Sequence, residues 1–313
     1  MKETNTKPAQ RVICFGEILW DNLPGGRKPG GAPMNVAYHL NKLGIESTLI
    51  SRVGIDNNGD ELLQFIESKG LSVQYCQRDR NFPTSTVEVN IGLDQEVKYD
   101  IVKNVAWDYI EAEECLSKLV EEADAFVFGS LAARSTGTYR TLHSLLEKAK
   151  YKVFDVNLRE PHYSQASITQ LLRKTDLLKL NIHELNLITN WFSTDCQTEW
   201  ERIRVLQGQF GIGEIVVTKG STGASYYTKN AQCNYPAFNV KVNDTVGSGD
   251  SFLAAFLSQK LKGESIEGML NYAAALGAYV TMHAGACPEY KKYDLDRFIW
   301  KNELNTTSQL FSK

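Results

Sequence analysis

The stretch "NDTVGSGDSFLAAFLSQKL" (Asn243 to Leu261) sets one carboxylate, two glycines and a second carboxylate directly before a run that is apolar on one side. Gly247 and Gly249 permit turns closed to other residues, so successive backbone N–H groups can point one way. At a helix start those donors have no partner within the helix, and the aligned peptide dipoles add partial positive charge. That combination makes an anion hole. Asp250 stands beside it, where a carboxylate can act as helix N-cap or as proton acceptor. An anion hole paired with a carboxylate suits phosphoryl transfer to a hydroxyl, because the N–H donors hold charge on the transferring group while the carboxylate takes the hydroxyl proton. No G-x-x-x-x-G-K-[ST] occurs, and no G-x-G-x-x-G follows the first strand, which argues against a P-loop and a dinucleotide-binding fingerprint.

Such groups act only when a frame positions them. "RVICFGEILW" reads as a buried strand leading into the loop "DNLPGGRKPGGAP", and "APMNVAYHLNKLG" as a helix closed by Gly44. "STLISRVG" is a strand and "NNGDELLQFIESKG" a helix, so the order is β-α-β-α, which predicts a parallel sheet with right-handed crossovers. The alternation breaks between about 71 and 104, where "TSTVEVNIGLDQEVKYDIV" carries two strands around the hairpin-like "GLDQ". This small antiparallel insertion is expected to form a lid or a dimer contact. Alternation resumes through "AFVFGS", "GTYRTLHSLLEKAK", "YKVFDVN", "LLRKTDLLKLN" and "EIVVTKG", then a hairpin, then helices from Ser251 and Ser265. Ligands of parallel sheets gather at the carboxyl ends of strands. That rule selects Glu17 and Asp21, Gly30 and Gly31, Asp155, Asn157 and Arg159, Asn181 and Glu184, Thr218 and Gly220, and the stretch Asp244 to Asp250.

The bulk composition narrows the partners. With 34 Lys and Arg against 37 Asp and Glu in 313 residues, and no basic run, nucleic acid is disfavoured. Six scattered cysteines without a C-x-x-C pair, and histidines without metal-binding spacing, support neither a zinc site nor a disulfide framework. No apolar run reaches the ~18 residues of a membrane span, and the polar opening "MKETNTKPAQ" lacks the apolar stretch of an export signal. A reduced cytoplasmic setting is expected. The segment 1–10 is expected to be a disordered tail, and 11–313 one α/β domain with a lid from segments near 18–30 and 72–104.

Two stretches resemble the ribokinase-like (PfkB) carbohydrate kinases. "PGGAPMNVAYHLNKLG" (Pro29 to Gly44) is similar to that family's glycine pair followed by Asn and a helix, and "DTVGSGDSFLAAFL" (Asp244 to Leu257) to its D-T-x-G-A-G-D motif, with Ser248 where Ala is usual. The resemblance spans nearly the whole chain and implies a three-layer α/β sandwich with a central, mostly parallel sheet and a small β lid. It implies that Asp250 is the base, and that Gly247, Ser248 and Gly249 donate the anion hole. Asp21, Gly30, Gly31 and Asn35 would bind sugar hydroxyls, Arg134 would lie near the sugar or its lid, and Arg159 would face phosphate or pair with Asp155. "NIHE" matches the family's N-x-x-E, which implies that Asn181 borders the nucleotide and that Glu184 organises water around Mg²⁺. The resemblance places Thr218, Gly220 and Gly223 of "VTKGSTGA" and Asn271 and Ala274 of "NYAAALGAYV" around ATP, and K⁺ near Asp244.

Within the family "GE" after the first strand, "GGAP" and "FGSLAARS" look most like fructokinases, which implies transfer of the ATP γ-phosphate to the 6-hydroxyl of D-fructose. Ribose, 2-keto-3-deoxygluconate and nucleoside kinases are the alternatives within the family, and a non-catalytic sugar or nucleotide sensor the alternative outside it. The resemblance also implies small-molecule partners only, with no membrane, and a homodimer paired through the lid.

Overall fold

The computed structural model describes residues 9–23, 26–91 and 97–310. The expected disordered tail falls mainly on residues outside that set, as does the "GLDQ" turn. In chain order the strands are β1 (Arg11–Phe15), β2 (Leu19–Leu23), β3 (Gly26–Gly30), β4 (Glu46–Gly54), β5 (Cys76–Asp79), β6 (Ser85–Ile91), β7 (Val97–Ile101), β8 (Ala125–Gly129), β9 (Lys152–Asp155), β10 (Leu177–Asn181), β11 (Glu214–Thr218), β12 (Ala224–Thr228) and β13 (Gln232–Tyr235). The helices are α1 (Ala32–Lys42), α2 (Asn57–Ser68), α3 (Glu114–Glu122), α4 (Thr136–Leu146), α5 (Gln165–Leu172), α6 (Ile182–Asn190), α7 (Glu199–Phe210), α8 (Ser248–Lys262), α9 (Ile266–Thr281) and α10 (Lys292–Leu310).

Alternation along β1 explains the layers. Val12 and Cys14 join one buried cluster with residues of α1, α2, α8 and α9, while Ile13 and Phe15 join a second with residues of α3 to α7. Strands buried on both faces read as continuous apolar runs, which is why these segments lack polar alternation. The nine-stranded sheet has the order β13-β12-β11-β10-β9-β8-β1-β4-β5. All its pairs are parallel except β11 with β12 and β12 with β13. Parallel register aligns the carboxyl ends: Gly129 lies opposite Asp155, Lys179 opposite Asp155, and Asn181 opposite Thr218.

A four-stranded sheet, ordered β3-β2-β6-β7, stands apart from the first. The run "RVICFGEILW" divides at Gly16, whose φ of 141° turns β1 away from β2 so that the two strands enter different sheets. The small sheet has narrower bounds than the expected 72–104, because β5 pairs in parallel with β4 at the edge of the main sheet. Trp20 anchors it to α2 by donating from Nε1 to the Asn58 carbonyl at 2.9 Å.

Arg134 shows what fixes the end of the small sheet. Its guanidinium donates to both Asp108 oxygens at 2.7 and 2.8 Å and to the carbonyls of Ile101 and Val102 at 3.4 and 2.7 Å. It also lies 3.8 Å from the centre of the Trp107 ring. These contacts commit the guanidinium to the frame, and Arg134 does not line the cleft that was expected to hold the sugar. Removing one member of a buried pair leaves the other charge uncompensated. Arg134→Met should therefore lower stability by about 3–5 kcal/mol in urea unfolding, and Arg134→Met with Asp108→Asn should recover part of the loss; additive losses would contradict the pairing.

Candidate active site

The carboxyl ends of β1, β8, β9, β10 and β11 and the inner side of the small sheet enclose a cleft of about 750 Å³. Of the residues selected from the sequence, Asp21, Gly30, Gly31, Asn35, Arg159, Asn181, Glu184, Thr218, Asp244, Gly247, Gly249 and Asp250 line it. Residues more than two hundred positions apart in sequence thereby meet.

Helix α8 begins at Ser248, earlier than expected, because Gly247 adopts a left-handed conformation with φ 75° and serves as its N-cap. A Cβ on Gly247 would stand 2.5 Å from Ala286 Cβ, so the turn also requires glycine for close approach. No side chain caps this helix. Asp250 is its third residue, and its carboxylate turns away from capping to accept from Asn35 Nδ2 at 2.8 Å. The N–H groups of Gly249 and Asp250 have no partner within the helix and both residues line the cleft, whereas Ser248 N bonds the Thr245 carbonyl at 3.3 Å. Cys287 Sγ donates to Asn35 Oδ1 at 3.3 Å, which fixes the amide with its NH₂ toward Asp250.

Lys179 is the main residue that sequence reasoning passed over. It interrupts the apolar run of β10, and that interruption was the available signal. Its ammonium is buried and donates to both Asp155 oxygens at 2.8 and 2.9 Å. A Cβ placed on Gly249 would lie 3.0 Å from Lys179 Nζ, so this cation sits at the start of α8. Burial pulls the Lys179 ammonium down, but Asp155 and Asp250 outweigh it and hold its pKa above the ordinary lysine value. Asp155 thus pairs with Lys179 and not with Arg159, which remains in the cleft wall.

Burial holds Glu17, Asp21, Glu184 and Asp250 of the cleft above the ordinary carboxyl range. Burial raises Asp250, helped by Asp155 and opposed by Lys179, the Asn35 hydrogen bond and Arg159. Burial raises Asp21 to about 6, against Arg159. Glu184 is raised by burial, although its Oε2 accepts from Asn181 N and its Oε1 from Leu158 N, each at 2.8 Å. Asn181 returns the contact by accepting from His183 N and Glu184 N at 2.9 Å, so this pair caps α6 and lines the cleft at once.

Four residues expected around the nucleotide lie outside the lining. Gly220 forms an exposed turn, and Gly223 is needed where a Cβ would stand 2.0 Å from the Tyr235 carbonyl oxygen, so both serve the β11 to β13 hairpins. Ala274 is buried in the helix layer, and Asn271 lies one turn before it on α9. Small residues there admit close helix packing, as at Gly277, where a Cβ would be 3.4 Å from the Ser248 carbonyl oxygen.

Glu17 follows β1 and lines the same cleft. It is 3% exposed, and its Oε2 has no hydrogen-bond partner. Burial pushes its carboxyl from 4.5 up to about 7, with Asp250 adding to the rise. A carboxyl raised in the folded state contributes stability below the unfolded value, and that contribution is lost as pH rises through the folded value. Glu17→Gln should thus gain on the wild type as pH rises from 5 to 8, reaching at most about 3 kcal/mol in urea unfolding. A difference that stays constant over this range would contradict a buried, titrating Glu17.

Comparison with known proteins places this geometry. Residues 16–292 match the pfkB family of carbohydrate kinases. The chain is 29% identical to a probable fructokinase-5 of Arabidopsis thaliana over 307 residues, covering 88% of this chain and 93% of that protein. A fructokinase from Xylella fastidiosa with bound ATP superposes with a TM-score of 0.84 at 22% identity, covering 94% and 99% of the two chains. A fructokinase from Vibrio cholerae O395, in its form bound to fructose, ADP and calcium ion, gives 0.79 at 26% identity over 93% and 99%. Fold, cleft and sequence match converge, and the chain belongs to the pfkB family of carbohydrate kinases.

Proposed function

We propose that this sugar kinase transfers the γ-phosphoryl group of ATP to the 6-hydroxyl of D-fructose. The observation that carries the reading is Asp250: a half-buried carboxylate in the cleft wall, oriented by Asn35, at the uncapped start of α8 with the Lys179 ammonium alongside. Fructokinases among the relatives of this chain support the choice of sugar.

Asp250 accepts the proton of the acceptor hydroxyl as the oxygen attacks phosphorus. Gly249 N and Asp250 N, at the cleft wall, would donate to the charge that develops on the transferring group, and Lys179 adds a fixed positive charge that needs no reorganisation during reaction. Arg159, Asn181 and Thr218 line the side on which the phosphates would enter. Leu19, Val87 and Ile101 of the small sheet form an apolar wall that would exclude water, the competing acceptor.

The side chains fit a divalent cation that arrives with the nucleotide. Among the described residues no group of three or more His, Cys, Asp or Glu side chains is arranged to hold a metal by itself. Glu184, with both oxygens on backbone N–H groups, would meet such a cation through water. A divalent ion such as Mg²⁺ supplies charge neutralisation at the phosphates. K⁺ fits Asp244 poorly, because its oxygens accept from Val246 N at 3.0 Å and Gly285 N at 2.9 Å, and the Lys28 ammonium stands 3.7 Å away. Rates in K⁺-free buffer should match those in K⁺, and a marked loss would restore a K⁺ role.

Purified protein assayed for ATP consumption with fructose, ribose, 2-keto-3-deoxygluconate and nucleosides should turn over fructose fastest; another acceptor ranking first would overturn the sugar assignment. Asp250→Asn should keep its fold and its affinity for nucleotide while kcat falls by about 10²–10⁴-fold. Near wild-type turnover in that variant would remove Asp250 as the base.

A further inference from the structure

Glu17 is left unexplained by the reaction as derived so far. Its carboxyl is buried beside Asp250, where a second negative charge raises the energy of both. A structural glutamate in such a place would be expected to have both oxygens satisfied, because an unpaired buried polar atom is costly. Here Oε2 has no partner and the residue lines the cleft. The backbone around it is tightly fixed. A Cβ on Gly31 would stand 2.4 Å from the Glu17 carbonyl oxygen, and Gly16 is tied to β4 through Ser51 Oγ, which donates to its carbonyl at 2.6 Å. The carboxyl is therefore held in place next to the proposed base, in a residue that lines the cleft, with one buried oxygen left without a partner.

We propose that Glu17 is a specificity-determining residue of the acceptor site, whose unpaired Oε2 hydrogen-bonds a hydroxyl of the sugar other than the one that is phosphorylated. The inference rests on the kinase reading of the same cleft. It gives the site a preference for polyols that place a second hydroxyl beside the reacting one. An acceptor without that hydroxyl leaves the buried oxygen unpaired and is rejected on that ground.

Calorimetric titration tests it on the full-length protein, with the non-hydrolysable ATP analogue AMP-PNP present, using the tightest-binding sugar of the panel and its mono-deoxy analogues. Glu17→Ala should weaken sugar binding by about 10- to 100-fold and leave AMP-PNP affinity unchanged, with Glu17→Gln between the two. One deoxy analogue should bind the wild type weakly and lose little more in Glu17→Ala, which a purely structural role would not produce. Unchanged sugar affinity in Glu17→Ala, or equal losses for sugar and AMP-PNP, would overturn the assignment. A wild type that prefers another sugar overturns the fructose reading alone, and the Glu17 comparison is then made on that sugar. Binding of no sugar overturns both.

Discussion

The carboxylate of Asp250 is half-buried against the uncapped start of α8, and the arrangement of the cleft follows from keeping it there. A carboxylate out of water needs donors and countercharge. Asn35 supplies the first, Lys179 and Arg159 the second. Each comes from a different element: Asn35 from α1, Lys179 from β10 and Arg159 from the connection after β9. The parallel sheet is the device that makes this convergence possible, because it brings the ends of β1, β9, β10 and β11 to one edge in fixed register.

Glycine at the contacts lets backbone approach where side chains would intrude. Gly247 rests on Ala286 and Gly31 on the Glu17 carbonyl, while Gly249 leaves room for the Lys179 ammonium. The loop that carries Ala286 is itself held by His39, which bonds the Ala286 carbonyl and the Tyr290 hydroxyl, each at 2.9 Å, and whose burial lowers its pKa to about 4. A neutral imidazole in the core thus supports the floor on which the Gly247 turn sits. The small sheet is attached by comparable means, with Trp20 on α2 and Arg134 bridging Asp108 to the end of β7.

Much of this was legible in the sequence. Apolar runs alternating with helical periodicity predict the parallel sheet, and the break near 71–104 predicts the antiparallel strands, because local spacing encodes both. Asp250 and Gly247 stood out because their types at a helix start suit anion and proton chemistry, Glu184 by its place after a strand, and Asn35 only through the resemblance to a family motif. What was less legible was which role a residue takes when two are open. Asp250 could cap α8 or face the cleft, and its bond to Asn35, made across more than two hundred residues, decides between them. Arg134 and Gly223 carried the right types for a site, yet their partners, Asp108 and the Tyr235 carbonyl, come from elsewhere in the chain.

The sequence by itself determined the element order, the layers and the two glycine-rich corners, since periodicity, turn residues and helix starts are properties of neighbours along the chain. Only the tertiary structure decided that Lys179 belongs with Asp155 and Asp250, that Arg159 does not pair with Asp155, and that Glu17 keeps an unpaired oxygen beside the base. The physical reason is that charge pairing and desolvation depend on distance in space. Distance in space is set by sheet register, which no local stretch contains.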